Sequence, residues 1–445
     1  MQVNKDQIPV SDRLDDVVKR KLEILSREQK MRRMRRVTIG MGAAAACFMG
    51  VLAVGVANPA WASQLPIIGH IFEQMGENLN YPGDYGQKGS PLGTEGSGEL
   101  DTEADTEAET TAYTKTVDGM TVTLSEVYSN GQALNIALVL QSQEPFPDTK
   151  MGQDGKPLIR CLTNETYSFN SETQTDYVTL DGEFTDEYTF AGVMRFDLNT
   201  KVAENTALAE GQESADTLGE EETDGAQIPK NFTMTLNIDQ IIGSLANPEV
   251  RDMGVTQEEM EAMSDEEWRR YRAKLDEEDP SWNQFPNVHE YYWFDGPWEF
   301  ELEVTQNMED CVTVEVGTNE EGIGFEKIVK TPYEITMYPV DPRSQEEIAE
   351  DNFYYYLPVM LDADGMLMDS GGGGFMNTVA VGDHDVSQVE VYLFEDAKWL
   401  DEVKGYWWNN VETLQNGGTL EDGRTFKELC DETCVFHETV TIPAR

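Results

Sequence analysis

Residues 116–142 read TVDGMTVTLSEVYSNGQALNIALVLQS, and this stretch decides the fold class. Apolar and polar side chains alternate on both sides of Asn130-Gly131, the period of a strand with one face turned to a core. An Asn-Gly step between two such runs predicts a β-hairpin, because a short hairpin loop needs backbone with positive φ. Further strands are predicted in EYTFAGVMRFDL (187–198), NFTMTLNI (231–238) and PWEFELEVTQ (297–306). A second set follows in GFEKIVKTPYEITMYPV, NFYYYLPVML, VSQVEVYLF and CVFHETVTI. Short strands separated by turn residues point to a mainly β protein with two tandem antiparallel β-sandwich domains, at 113–317 and 318–445.

Two insertions interrupt the first domain. Residues 203–228 are polar and acidic and read as a loop. Residues 256–278, TQEEMEAMSDEEWRRYRAKLDEE, predict a helical insertion whose Met260, Met263, Trp268, Tyr271 and Leu275 cover the sheet. Before the first strand, residues 83–112 are Gly, Ser, Thr and acidic residues ending in DTEADTEAETT, the composition of a solvated, disordered linker.

The formal net charge is −52, and it is unevenly placed. Residues 1–36 carry 11 Lys/Arg against 6 Asp/Glu, whereas the rest carries 21 against 78. So acidic a body is repelled by nucleic acid, which excludes DNA or RNA as its partner. Between the two lies VTIGMGAAAACFMGVLAVGVA, residues 37–57, with no charge. It is long enough for a transmembrane helix. Arg32, Arg33, Arg35 and Arg36 stand just before it, which orients the N-terminus to the cytoplasm and the body outside. The expectation is a single-pass protein of the cell membrane. A cleaved signal peptide is the rival, since Ala60-Trp61-Ala62 is an A-x-A-like site.

Residues 10–36 predict an amphipathic basic helix. Leu14, Val17, Val18, Leu22 and Leu25 fall on one face at three- and four-residue spacing. A lone helix is marginal in water, so this face calls for a protein partner or a lipid surface. Residues 58–82 predict a short helix, around Ile67, Ile68, Ile71 and Phe72, packed on the body or on the membrane.

Little in the chain suggests catalysis. The four histidines, His70, His289, His384 and His437, sit in no H-E-x-x-H frame. There is no G-x-S-x-G elbow and no phosphate-binding G-x-x-x-x-G-K-[ST]. The chain reads as a non-enzyme without a cofactor. Asp362, Asp364 and Asp369 are weak candidates for a calcium loop, with a β-turn as the competing reading. Cys430, Cys434 and His437 are three zinc-type ligands in one short stretch, where a disulfide or plain packing competes with metal.

NPAWASQLPIIGHIF (58–72), followed after a linker by VTLSEVYSNGQAL (122–134), resembles the domain-of-unknown-function family 4179 of Gram-positive envelope proteins. GPWEFELEV (296–304) and FEKIVKTPYEITMYP (325–339) resemble the family's usual ending and a following Ig-like domain. Members are similar to membrane-bound anti-sigma factors. The resemblance implies that the tail carrying Leu14, Val17, Val18 and Leu22 holds an extracytoplasmic-function sigma factor while the body senses an envelope ligand. It implies no catalytic residues. A structural or adhesive surface protein, using exposed aromatics such as Trp407 and Trp408, is the alternative.

Overall fold

The computed structural model describes residues 71–92, 113–152, 154–202, 228–256, 259–260, 262–344, 347–348, 356–368, 377–395, 399–404, 418–420 and 422–443. All of them belong to one compact unit, Pro66–Arg445.

The hairpin at Asn130-Gly131 forms and seeds the first sheet. Its strands are β3 (Met120–Ser129) and β4 (Ala133–Ser142), and Gly131 takes the positive φ, 80°, that the tight loop requires. The Asn130 side-chain oxygen accepts the backbone N–H groups of Gln132 and Ala133, closing the loop. Seven more strands join: β1 (Ser90–Pro91), β2 (Thr114–Val117), β5 (Ile159–Tyr167), β6 (Asn170–Phe184), β7 (Thr189–Asp197), β8 (Asn231–Ser244) and β9 (Tyr291–Thr305). The order is β1-β3-β4-β7-β6-β5-β8-β9, with β2 also on β3, and every pairing is antiparallel.

This sheet curls until its ends approach each other. The Trp298 indole N–H of β9 donates to the Met120 carbonyl of β3 across 3.1 Å. One core fills the curl. Trp298, Phe300, Leu302 and Val304 point into it from β9, while Glu299, Glu301 and Glu303 between them face out. β3 is different, because nearly all of it is buried. A bulge between Leu124 and Glu126 shifts its register. Val122 and Leu124 therefore point inward before the bulge and Val127 after it, and Glu126 and Tyr128 are left under a cover on the outer face.

The second region has two sheets. One contains β10 (Val312–Thr318), β11 (Gly324–Lys330), β12 (Glu334–Val340) and β14 (Thr378–Ala380); the other contains β13 (Tyr356–Leu361), β15 (Gln388–Glu395) and β16 (Phe436–Thr441). Phe325, Ile328, Ile335 and Met337 from the first meet Met360, Val389, Val391 and Val440 from the second in a common core. The far face of the three-stranded sheet is covered by a helix, Phe426–Thr433.

Several expectations need correction. The protein is mainly β, but two tandem sandwiches are not what forms: the first region is one curled sheet, because the long strands β6, β8 and β9 let a single sheet wrap its own core. The transmembrane helix expected at 37–57 lies outside the described residues, as does the basic helix of 1–36. No helix among the described residues is long and apolar enough to cross a membrane, and this overturns the expectation of a single-pass membrane protein. The longest described helix, Asp265–Glu278, has 14 residues, mostly charged. It starts at the capping box of Ser264 and Glu267, yet Trp268, Tyr271 and Leu275 are half-exposed rather than core. Its ties run to its own flanks, with Tyr271 donating to the Met253 carbonyl and Arg251 gripping Asp276 at 2.5 Å. Of the linker expected at 83–112, residues 83–92 are described; they form a helical turn, Tyr85–Lys88, and the short strand β1, with Tyr85 buried.

Candidate functional site

Residues 71–92 form a strap over the outer face of the first sheet. It contains α1 (Ile71–Met75) and α2 (Tyr85–Lys88). Phe72, Met75, Leu79, Tyr81 and Tyr85 pack on Tyr128, Ala137, Ala191 and Val193 of that sheet and on Tyr333 and Ala380 of the second region. Rings interlock at the centre. Tyr85 lies 4.1 Å from Tyr333, 5.4 Å from Phe72 and 5.4 Å edge-on from Tyr128, centroid to centroid. The Tyr333 hydroxyl donates to the Asp84 carbonyl at 2.7 Å. Gly83 is required here, since a Cβ would lie 1.9 Å from the Tyr333 ring. The Phe72 N–H donates to the buried Glu126 carboxylate at 2.9 Å, which tethers the start of the strap to β3.

Where the strap leaves β6 and β7 uncovered, a cleft of about 370 Å³ opens. Leu79, Asn80 and Tyr81 form one wall; Asp176, Thr179 and Asp181 of β6, Val193, Arg195 and Asp197 of β7, and Thr200 and Lys201 of the short helix α3 (Asn199–Val202) form the others. Three ion-pair systems frame it. Lys156 binds Asp181 and also the Asn80 side chain at 2.9 Å, and Asp181 accepts the Asn80 N–H, so this carboxylate pins the strap. Arg195 bonds Glu334 of β12 at 2.7 Å, and its guanidinium sits 4.7 Å over the Tyr81 ring. Lys201 bridges Glu165, at 2.7 Å, and Asp176.

The third system is the most buried. The Glu165 side chain is 0% exposed and that of Lys201 5%, whereas that of Asp176 is 46% exposed at the cleft rim. One Glu165 oxygen, Oε2, is buried without a hydrogen-bond partner. Burial pushes the Glu165 carboxyl up to about 7, against the pull of Lys201. Burial also favours neutral Lys201 and neutral Asp176, but the hydrogen bonds between them win, raising the lysine and lowering the aspartate. Burial raises Asp181 and Asp197 as well. Five carboxylates, Glu165, Asp176, Asp181, Asp197 and Glu334, thus share three cations, Lys156, Arg195 and Lys201.

None of the residues singled out from the sequence lies in this cleft. Leu14, Val17, Val18, Leu22, Leu25, Arg32, Arg33, Arg35 and Arg36 are outside the described residues, as are Asp369, Trp407 and Trp408. Asp362 is a turn residue. Its Oδ1 accepts the N–H groups of Asp364 and Met366 at 3.0 and 2.9 Å, and its Oδ2 meets His384 at 2.6 Å. Asp364 is exposed beside it. Among the described residues no three His, Cys, Asp or Glu side chains are grouped to hold a metal. Cys430 and Cys434 are free thiols on and just after a helix, and His437 turns instead to Glu390 at 2.6 Å. Glu165 did leave a signal in the sequence. It shares the strand face of Ile159, Cys161 and Tyr167, all buried, so its parity alone marks a buried charge.

The strap and the hairpin under it have relatives. Residues 32–142 match the family model "Domain of unknown function (DUF4179)". This segment is similar to that family. The DUF4179 segment thus supplies the strap, β1 to β4 and one wall of the cleft. No curated protein matches the chain. A solved structure, "The crystal structure of the conserved domain protein from Bacillus anthracis", is similar at 14% identity with a TM-score of 0.31, over 64% of this chain and 77% of that one.

Proposed function

We propose that the chain is a sensing protein without catalytic activity, of the anti-sigma-factor type. In this reading the β body takes a ligand in the cleft, and the amphipathic face of Leu14, Val17, Val18 and Leu22 takes a sigma factor. One observation carries the reading: the strap is at once a wall of the cleft and the first described segment on the side of the chain from which the N-terminal tail comes. A ligand touching Asn80 and Tyr81 acts on the Asp181 and Arg195 contacts that seat the strap. Charged groups that are paired to one another, with Glu165 sealed behind Lys201, suit binding better than acid–base chemistry.

The test is recovery of a sigma factor from native cells on the full-length chain, on a chain lacking residues 1–36, and on Thr179→Trp, which fills the cleft. The reading expects recovery on the first, loss on the second and at least a threefold change on the third. A sigma factor absent from the full-length sample, or retained without residues 1–36, overturns it.

A second reading has its own support. Tyr177 and Phe285 are 49% and 43% exposed and meet edge-on at 5.2 Å, with Arg160 5.5 Å over Phe285. Such an aromatic ridge suits an adhesive surface that binds a glycan or protein. Adhesion of this kind survives deletion of residues 1–36 and is lost in Phe285→Ala.

A further inference from the structure

A lysine occupies a core-facing position in the second region. Lys330 ends β11, and its cross-strand partners are Val312 of β10 and Ile335 of β12. Residues directly opposite one another in a sheet point to the same side. Val312 and Ile335 are core residues, as is Ile328 two positions earlier in β11, so the Lys330 side chain starts from the inner face as well. A lysine in such a place is seldom left without a partner. This one has little to hold it. Its ammonium donates to the Thr331 carbonyl at 3.3 Å, and among the described residues it makes no ion pair. Asp310 is close by but is held on Lys88 of α2 at 3.0 Å. Burial pushes the Lys330 ammonium down, with Asp310 and Cys311 opposing and Lys88 adding to the effect. A notch of about 420 Å³ opens beside it, walled by Val312, Pro332, Val386, Ile442 and Pro443, with the exposed Ser387 and Asp310 completing the lining. An ammonium with unused donors in an apolar notch is the chemistry that selects an anionic head on an apolar stem.

We propose that this notch binds a carboxylate on a short apolar stem, the carboxylate seated on Lys330 and the stem against Val386 and Ile442. The notch shares no lining residue with the cleft beside the strap, so it is a second site and stands apart from the sensing reading. Its volume is at the small end of ligand sites, which fits a short acid or the last residue of a peptide. Both present the same chemistry. The net charge of −52 repels any anion at long range. At physiological salt the Debye length is about 8 Å, so the contact with Lys330 decides. The competing account is a lysine whose stem caps the core while its head reaches water, and such a head gains nothing from the notch.

The experiment is a saturation-transfer NMR titration of the full chain with pentanoate, pentanol and pentylamine, matched in length, and with N-acetylleucine as a peptide C-terminus, at about 0.15 M salt. Pentanoate is expected to bind at least tenfold more tightly than the alcohol or the amine. N-acetylleucine separates the two sources: tighter binding than pentanoate identifies a peptide end, weaker binding a free acid. Lys330→Met keeps an apolar stem on the core, and with it the fold, and is expected to weaken pentanoate about tenfold, the value of one charge-assisted contact. Lys330→Arg restores most of the affinity. Ser387→Trp, at an exposed position, fills the notch and abolishes binding. Pentanol or pentylamine bound as tightly as pentanoate overturns the anion class. Pentanoate binding that ignores both Lys330→Met and Ser387→Trp overturns the assignment to this notch. If no probe binds, Lys330 only caps the core and the proposal falls, while the ligand role of the cleft beside the strap is untouched.

Discussion

Glu165 is a carboxylate whose side chain is fully buried against Lys201, with Asp176 and the Tyr167 ring on the same side. Burial raises its carboxyl from 4.5 to about 7 in the folded chain, so the fold prefers the protonated form. The sign follows from linkage. Between pH 4.5 and 7 the unfolded chain has released this proton and the folded chain has not, so stability falls as pH rises through that window. Lys201 loses no charge there, because its own proton is held more tightly than usual. Asp176, lowered by its bonds to Lys201 and Glu165, acts below the window. Glu165→Gln keeps an acceptor for Lys201 and removes the titration. Urea unfolding at pH 5 and pH 7.5 should show the wild type losing roughly 2 kcal/mol, since each tenfold change in proton affinity is worth about 1.4 kcal/mol. The variant should lack most of that loss. Equal pH slopes in the two proteins would show that Glu165 ionises freely in the folded state.

The strap is the element on which both the site and the sensing reading depend. Gly83→Ala places a methyl group into the Tyr333 ring, which is held by Tyr85 on one side and by its hydroxyl bond to Asp84. Overpacking of this kind costs about 1–3 kcal/mol. Hydrogen exchange should quicken across residues 71–92, while the core strand β9, held by Trp298, keeps its protection. Uniform loss of protection, or none, would count against a strap that undocks by itself. Its sequence shows why it was hard to read. GDYGQKG at 83–89 has the composition of a linker, and what orders it is Tyr85, whose partners Tyr128 and Tyr333 are distant in the chain. Local pattern served better elsewhere. Asn130-Gly131 announced its hairpin, and the alternation Trp298 to Val304 announced β9, because one face of that strand is wet. β5 and β6 carry mostly polar residues, LTNETY and NSETQTDY, so the sheet's true width was not visible. The cleft was hidden for a related reason, since Arg195 and Glu334 are 139 residues apart and only the fold joins them.

At the scale of the whole molecule, charge is the dominant unbalanced force. A net charge of −52 repels itself in a compact chain far more than in an extended one. The ion pairs of the structure offset this locally, but many are exposed, such as Arg270–Glu266 and Lys274–Glu278 on the polar helix, and exposed pairs contribute little. Salt weakens both effects, so their competition can be measured. The Debye length falls from about 30 Å at 0.01 M to about 10 Å at 0.1 M, which removes long-range repulsion before it touches contacts of a few ångströms. Repulsion is long-range here and attraction is short-range, so sodium chloride should stabilise the fold. Thermal unfolding is expected to rise by about 3 °C or more between roughly 0.01 and 0.2 M salt, most of it below 0.1 M. A flat or falling midpoint would mean that surface pairs outweigh the net charge. The buried Lys201 bridge is shielded from ions, so the pH-dependent loss assigned to Glu165 should persist at the higher salt, which separates the two electrostatic effects in one instrument.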